Sequence, residues 1–175
     1  TPHIRGLRIY KDKLWIFSGT WLHVLTGTTS ETFGHKRVMP IDYPTGSTIY
    51  EAGGFLWWVD INGIWQFNGS TAHNVMAQSM IEKWRELNKV DDITRATASW
   101  DDICGIYKIY FPDVKEEWNY AYRTGQWWIR TFNTADVVRV IGPPMNLISG
   151  EAPNYPIATK TNGKVFTNNE NSVTD

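Results

Sequence analysis

A paired-strand unit recurs along this chain, and no other feature limits its fold as sharply. Residues 55–69 read Phe-Leu-Trp-Trp-Val-Asp-Ile-Asn-Gly-Ile-Trp-Gln-Phe-Asn-Gly, two short apolar strands around an Asn62-Gly63 turn. Residues 14–25 have the same shape, and further hairpin-like units begin near Ile106 and near Asn146. Leu14, Leu56, Tyr107 and Leu147 hold matching positions, at spacings of 42, 51 and 40 residues. A period of about 40–50 residues with several short strands per repeat is the signature of a β-propeller blade. The expected fold is therefore all-β: a β-propeller, or a fragment of one, made of antiparallel four-stranded blades with one short inserted helix.

The finer pattern divides residues 1–175, read as one propeller domain or fragment, into partial blades at 7–41, 47–69, 96–132 and 137–167. Pro40 restricts the run 36–41 to an edge strand or a strand end, because proline cannot donate to a ladder. Residues 47–51 are expected to pair with 55–59 across Gly53-Gly54. Asn62-Gly63 and Asn162-Gly163 supply the positive φ angles of tight hairpin turns. A helical insertion is expected over 79–88. Ser79-Met80-Ile81-Glu82 fits a capping box, with Met80, Ile81, Trp84 and Leu87 on one face and Glu82 and Glu86 toward solvent. The chain opens at Thr1-Pro2-His3 and closes at Val173-Thr174-Asp175, which reads as a piece of a longer polypeptide.

Composition removes several function classes. Charged residues are 20% of the chain and the formal net charge is −1. A sequence-independent nucleic-acid binder needs a basic surface to neutralise phosphates. The single cysteine, Cys104, excludes an intrachain disulfide; between Ile103 and Gly105 it reads as a buried structural thiol. No apolar run reaches the roughly 18 residues of a spanning helix, and no signal segment opens the chain. Asn68-Gly69-Ser70 matches the glycosylation pattern but reads as a turn.

Chemistry-bearing motifs are sparse. His3, His23, His35 and His73 lack the spacing of a helical metal pair, and His23 reads as a solvated residue without a partner. The acid pairs Asp91-Asp92, Asp101-Asp102 and Glu116-Glu117 fall in expected turns, where acids solvate the loop or bond its backbone. There is no nucleophile elbow, P-loop or dinucleotide fingerprint. The expectation is no catalytic residue, no metal and no cofactor. Aromatics are the remaining lead. Ten tryptophans include the adjacent pairs Trp57-Trp58 and Trp127-Trp128, whose rings point to opposite faces of a strand. Most are expected in the core. Trp58, Trp128 and Tyr120 are the candidates for an interface or for stacking on sugar.

The stretch from Tyr50 to Arg130 resembles the β-propeller virion proteins of tailed bacteriophages, found at the head–tail connector and in the tail nozzle or hub. The resemblance rests on the strand pair of residues 56–69, the helical segment Ile81–Leu87 with Trp84, the Phe111-Pro112 strand end, and the approach to Gly125-Gln126-Trp127. It implies a non-enzymatic structural protein located in the virion tail or neck and made in the host cytoplasm. Such proteins form a ring of identical subunits around a DNA conduit that passes DNA without tight binding. The implied partners are other tail and connector proteins. The alternatives are a carbohydrate-binding, receptor-recognising propeller and a glycoside hydrolase-like propeller, which needs two carboxylates facing across a cleft.

Overall fold

A computed structural model of the chain describes residues 3–27, 29 and 31–132, and the backbone of three further strands between 138 and 167. The chain divides into two compact units, Thr1–Arg95 and Ala96–Asp175.

The first unit holds two antiparallel meanders. β1 (Ile4–Tyr10), β2 (Lys13–Ser18), β3 (Trp21–Thr26) and β4 (Gly34–Pro40) pair in chain order to form sheet 1. β5 (Tyr50–Ala52), β6 (Phe55–Asp60), β7 (Gly63–Phe67) and β8 (Ala72–Asn74) form sheet 2. As Pro40 requires, β4 is an edge strand and ends at the proline.

Alternation along each strand decides what the sheets bury. Tyr10, Trp15, Phe17, Leu22 and Val24 line one face of sheet 1 and form a single core with Leu56, Trp58 and Phe67 of sheet 2. The aromatic contacts are edge-on: Trp15 meets Phe67 with ring centroids 4.9 Å apart, and Phe17 meets Trp58 at 5.5 Å. Edge-to-face packing suits the ring quadrupoles and fixes the relative placement of the two sheets.

Several local expectations are corrected. Residues 47–51 are not one strand: Gly46–Thr48 forms a 3-10 turn and β5 begins at Tyr50. The two threonines explain the turn. Thr45 donates its backbone N–H to the Val59 carbonyl at 2.8 Å, and the Thr48 hydroxyl accepts from Val59 N at 3.0 Å. Both backbone groups of Val59 are thus satisfied from this turn. The β6–β7 hairpin turns on Ile61-Asn62, one residue earlier than expected, and Gly63 opens β7 opposite Asp60. Gly63 holds φ 149°, where a Cβ would collide with the Asn74 side chain.

The inserted helix α1 (Ile81–Lys89) is present, with Trp84 and Leu87 buried and Glu82 and Glu86 exposed. Its capping box does not form. Ser79 lies inside a preceding 3-10 turn, Gln78–Met80, and the N-cap is Met80 with no side-chain bond. Trp84 instead fastens the helix, donating its indole N–H to the Ile61 carbonyl at 3.0 Å. A second, four-residue helix, α2 (Asp92–Arg95), and the short β8 carried no clear sequence signal.

In the second unit, β9 (Thr97–Asp101), β10 (Ile106–Phe111), β11 (Glu116–Ala121) and β12 (Gln126–Thr131) form sheet 3, again an antiparallel meander. β13 (Val138–Ile141), β14 (Ile157–Lys160) and β15 (Val165–Thr167) form a three-stranded antiparallel sheet. Leu147, Asn162 and Gly163 lie outside the described residues. The four sheets span 4–40, 50–74, 97–131 and 138–167. They establish an all-β chain of antiparallel meanders.

A shared device underlies the repetition. In sheets 1 and 2 the third residue of the second strand is tryptophan. Trp15 donates its indole N–H to the Tyr10 carbonyl and Trp57 to the Ala52 carbonyl, each at 2.9 Å. Tyr10 and Ala52 are the last residues of their first strands, so the indole ties strand one to strand two across the turn. In sheet 3 the equivalent residue is Lys108, and its ammonium pairs at 3.1 Å with Asp101, the last residue of β9.

Candidate functional site

A cavity of about 340 Å³ opens in the first unit where β4 ends and the β6–β7 hairpin turns. Met39, Asp42, Trp58, Asp60, Asn62 and Trp65 are among its lining residues. Its organiser is Asp60, only 1% exposed. One carboxylate oxygen, Oδ1, accepts the Trp65 indole N–H at 2.9 Å and the Asn62 backbone N–H at 2.9 Å. The other, Oδ2, accepts the Trp58 indole N–H at 3.2 Å. The backbone N–H of Asp42 also donates to this carboxylate. Burial pushes the Asp60 carboxyl above its ordinary range, and the N–H donors pull the other way.

The sequence builds this site by simple means. Asp60 ends β6, where its side chain reaches forward to cap the hairpin turn, as Asp does in Asx-turns. Trp58 and Trp65 are directly opposite on β6 and β7 and stack with planes 14° apart and centroids 6.2 Å apart. That common face sets both indole N–H groups beside one carboxylate. At the rim, the Asn62 side-chain amide donates to Asp42 Oδ2 at 3.2 Å. Asn62, expected only as a turn residue, is therefore also part of the cavity. Asp42, Asp60 and Trp65 were not foreseen as site residues. The available signal was an acid closing a strand just before Asn-Gly, with an aromatic five residues on.

The three aromatics expected at an interface or sugar site do not converge. Trp58 is fully buried between sheets 1 and 2, a correction: sheet stacking covers its whole ring. Trp128 is 42% exposed and pairs with Asn119, whereas Tyr120 is half-buried and pairs with Trp127. Neighbouring positions on β12 face opposite sides, so Trp128 and Tyr120 lie on different faces of sheet 3. Tyr120 packs on Trp127 with ring centroids 4.7 Å apart, and burial raises its phenol pKa.

Other candidate groups also resolve. His23 has a partner, contrary to expectation. It stacks on His35 at 4.9 Å, with His23 Nδ1 and His35 Nε2 3.0 Å apart. Burial, His35 and Arg37 all lower its pKa. Cys104 is exposed rather than buried. Asp101 Oδ1 accepts the backbone N–H of both Ile103 and Cys104, which holds the turn as a projecting loop. Of the acid pairs, Asp101 is committed to that turn and to Lys108, Glu116 accepts the Trp118 indole N–H at 3.0 Å, and Asp92 is fully buried. None of these acids lines the cavity. Among the described residues, no three metal-ligating side chains gather into a site.

The face of sheet 3 that carries Trp128 also holds a buried polar cluster beside Ile106 and Tyr110. Ser99, Lys108, Asn119, Glu117 and Asp101 alternate inward on neighbouring strands, each at most 6% exposed. Among the described residues, no helix is long and apolar enough to cross a membrane. No family model and no curated protein sequence matches the chain.

Proposed function

We propose that this chain is a structural component of a bacteriophage tail or head–tail connector. Its sheets would serve as rigid blades, joining a ring of identical subunits around the DNA conduit and holding loops against other virion proteins. The observation that carries the reading is the repeated sheet. Three consecutive four-stranded meanders share one pairing order, and each ties its first two strands at the same position. Such repetition builds a scaffold whose use lies in what its loops and faces contact. The resemblance of residues 50–130 to phage propeller proteins supplies the virion assignment. A net charge of −1 suits a conduit wall that lets DNA pass.

The sheet 1 face opposite the core adds support. Leu7 and Ile9 on that face are 47% and 74% exposed, and Leu14, Ile16 and Leu25 beside them are only half-buried. Aliphatic residues left on a sheet face favour further packing. The carbohydrate-binding alternative draws on Trp58, Trp128 and Tyr120, and those rings share no site. The glycoside hydrolase alternative draws on acid pairs that do not line the cavity; the two carboxylates that do, Asp42 and Asp60, are engaged by N–H donors, Asp60 on both of its oxygens.

The test is to purify virions of the phage encoding this chain, identify their proteins by mass spectrometry, and locate the chain by antibody labelling. Label confined to the neck or tail in stoichiometric copies is the expected result; absence from virions would refute the assignment. Strong, salt-sensitive DNA binding by the isolated chain would remove the non-gripping conduit.

A further inference from the structure

The cavity organised by Asp60 has an unusual balance of hydrogen-bonding groups. The half-buried Trp65 supplies its aromatic surface and stacks on the fully buried Trp58, and the Asp60 carboxylate consumes both indole N–H groups. Asp42 commits Oδ2 to the Asn62 amide, which leaves Oδ1 and the Asn62 side-chain carbonyl as acceptors at the rim. The lining contains two carboxylates and no lysine, arginine or histidine. The site therefore offers a guest acceptors, negative charge and aromatic surface, but few donors. An anion is repelled. A sugar, whose hydroxyls both give and accept, would find few donors to answer it.

We propose that this cavity receives a flat organic cation, the guanidinium of an arginine presented by a partner protein. A guanidinium has five N–H donors and no acceptor, so it matches a lining that has acceptors to spare. Its planar face stacks on the half-buried Trp65 ring, an interaction worth about 0.5–2 kcal/mol depending on desolvation. The same unit already uses this pairing twice: Arg37 lies 5.5 Å over Trp21, and Arg5 lies 5.6 Å over Tyr43. Burial of Asp60 keeps its charge poorly screened, so its field reaches the guest without the carboxylate having to touch it. A volume near 340 Å³ lies at the lower end of ligand pockets, adequate for one side-chain head. The inference stands on the cavity alone and does not require the virion assignment.

The experiment is a titration of the full chain, labelled at its tryptophan indoles, with N-acetyl-arginine amide. N-acetyl-citrulline amide serves as the neutral isostere and methyl glucoside as the sugar arm. The Trp65 indole N–H resonance is assigned by its loss in Trp65→Phe. The arginine probe is expected to shift it saturably in the millimolar range, with no response to citrulline. Asp42→Asn, a half-buried rim position, should weaken binding by roughly tenfold, as loss of one charge-assisted partner implies. Should that variant misfold, raising the salt concentration must weaken the wild-type shift instead. Equal responses to citrulline, a response to the glucoside alone, or no saturable shift would each overturn the proposal.

Discussion

Sheets 1 and 3 fasten the same two strands at the same position by opposite chemistry. In sheet 1, as in sheet 2, a buried indole donates to a backbone carbonyl; in sheet 3 a buried ammonium meets a buried carboxylate. The indole brings a large apolar body and needs only one acceptor. It suits a sheet face that packs against other rings, as Trp15 packs against Tyr10 and Phe67. Lys108 sits instead among Ser99, Asn119 and Glu117, and an apolar ring there would strand the buried Asp101 carboxylate. The turns differ accordingly. Two residues join β1 to β2 and β5 to β6, whereas residues 102–105 join β9 to β10. The longer turn needs Asp101 for two purposes: Oδ1 holds the turn backbone and Oδ2 holds Lys108. A fold can keep a structural position while changing its chemistry, provided the whole face changes with it.

The contrast is most exposed at Lys108. Lys108→Ala leaves Asp101 buried without its counter-charge and should cost about 3–5 kcal/mol, read by chemical denaturation. Lys108→Leu with Asp101→Asn keeps an acceptor for the turn and removes both charges, so it should cost much less than the single change. If the double variant were as unstable as Lys108→Ala, packing rather than charge pairing would be the function of this position.

Trp57→Phe and Trp15→Phe test the indole version. Each removes ring volume and leaves a strand-end carbonyl without its partner, at about 1–3 kcal/mol. The two losses should be similar, since the geometry is the same in both sheets. A near-zero loss at either would remove the equivalence.

The smallest effect concerns the other end of the second strand. Ser18 and Asp60 close β2 and β6; Ser18 accepts the N–H groups of Thr20 in the turn and of Trp21 at the start of β3, and Asp60 that of Asn62. Phe111 holds that place in sheet 3. Asp60→Asn retains one acceptor oxygen and should cost about 1–2 kcal/mol at neutral pH. Its pH dependence is more diagnostic. Because the folded-state pKa of Asp60 is raised above 3.8, the unfolded chain gives up this proton first as pH rises. The stabilising contribution is complete below the ordinary carboxylate range and is lost as pH rises through the raised value. Wild type should thus gain on Asp60→Asn as pH falls from neutral, measured by denaturation midpoints across a pH series. A gap independent of pH would show that Asp60 does not titrate differently in the folded state.

The hairpins were legible in the sequence because their causes are local. Leu14, Leu56 and Tyr107 do occupy the second positions of three second strands, so the repeat seen in the residues is the repeat of the sheets. The α1 face was legible for the same reason, since Trp84 and Leu87 follow helical spacing. The capping box failed because a nearby contact, Trp84 to the Ile61 carbonyl, takes part in anchoring the helix while Ser79 enters a 3-10 turn. Local propensity gives way when tertiary bonds hold the same segment.

The candidate cavity was not legible. Asp42, Trp58, Asp60, Asn62 and Trp65 come from a loop, two strands and a turn, and their meeting depends on sheet register and sheet stacking. Cys104 read as buried from its apolar neighbour, yet the Asp101 bonds project its turn into solvent. His23 and His35 looked unrelated until β3 paired with β4.

By itself, then, the sequence determined an all-β chain of short antiparallel strands, since alternation and turn chemistry act over a few residues. Tertiary structure alone decided which rings became core, which acid became the centre of a cavity, and which sheet exchanged an indole for an ion pair. Those outcomes depend on which residues burial brings together from distant parts of the chain, and burial is where an unpaired polar group costs most.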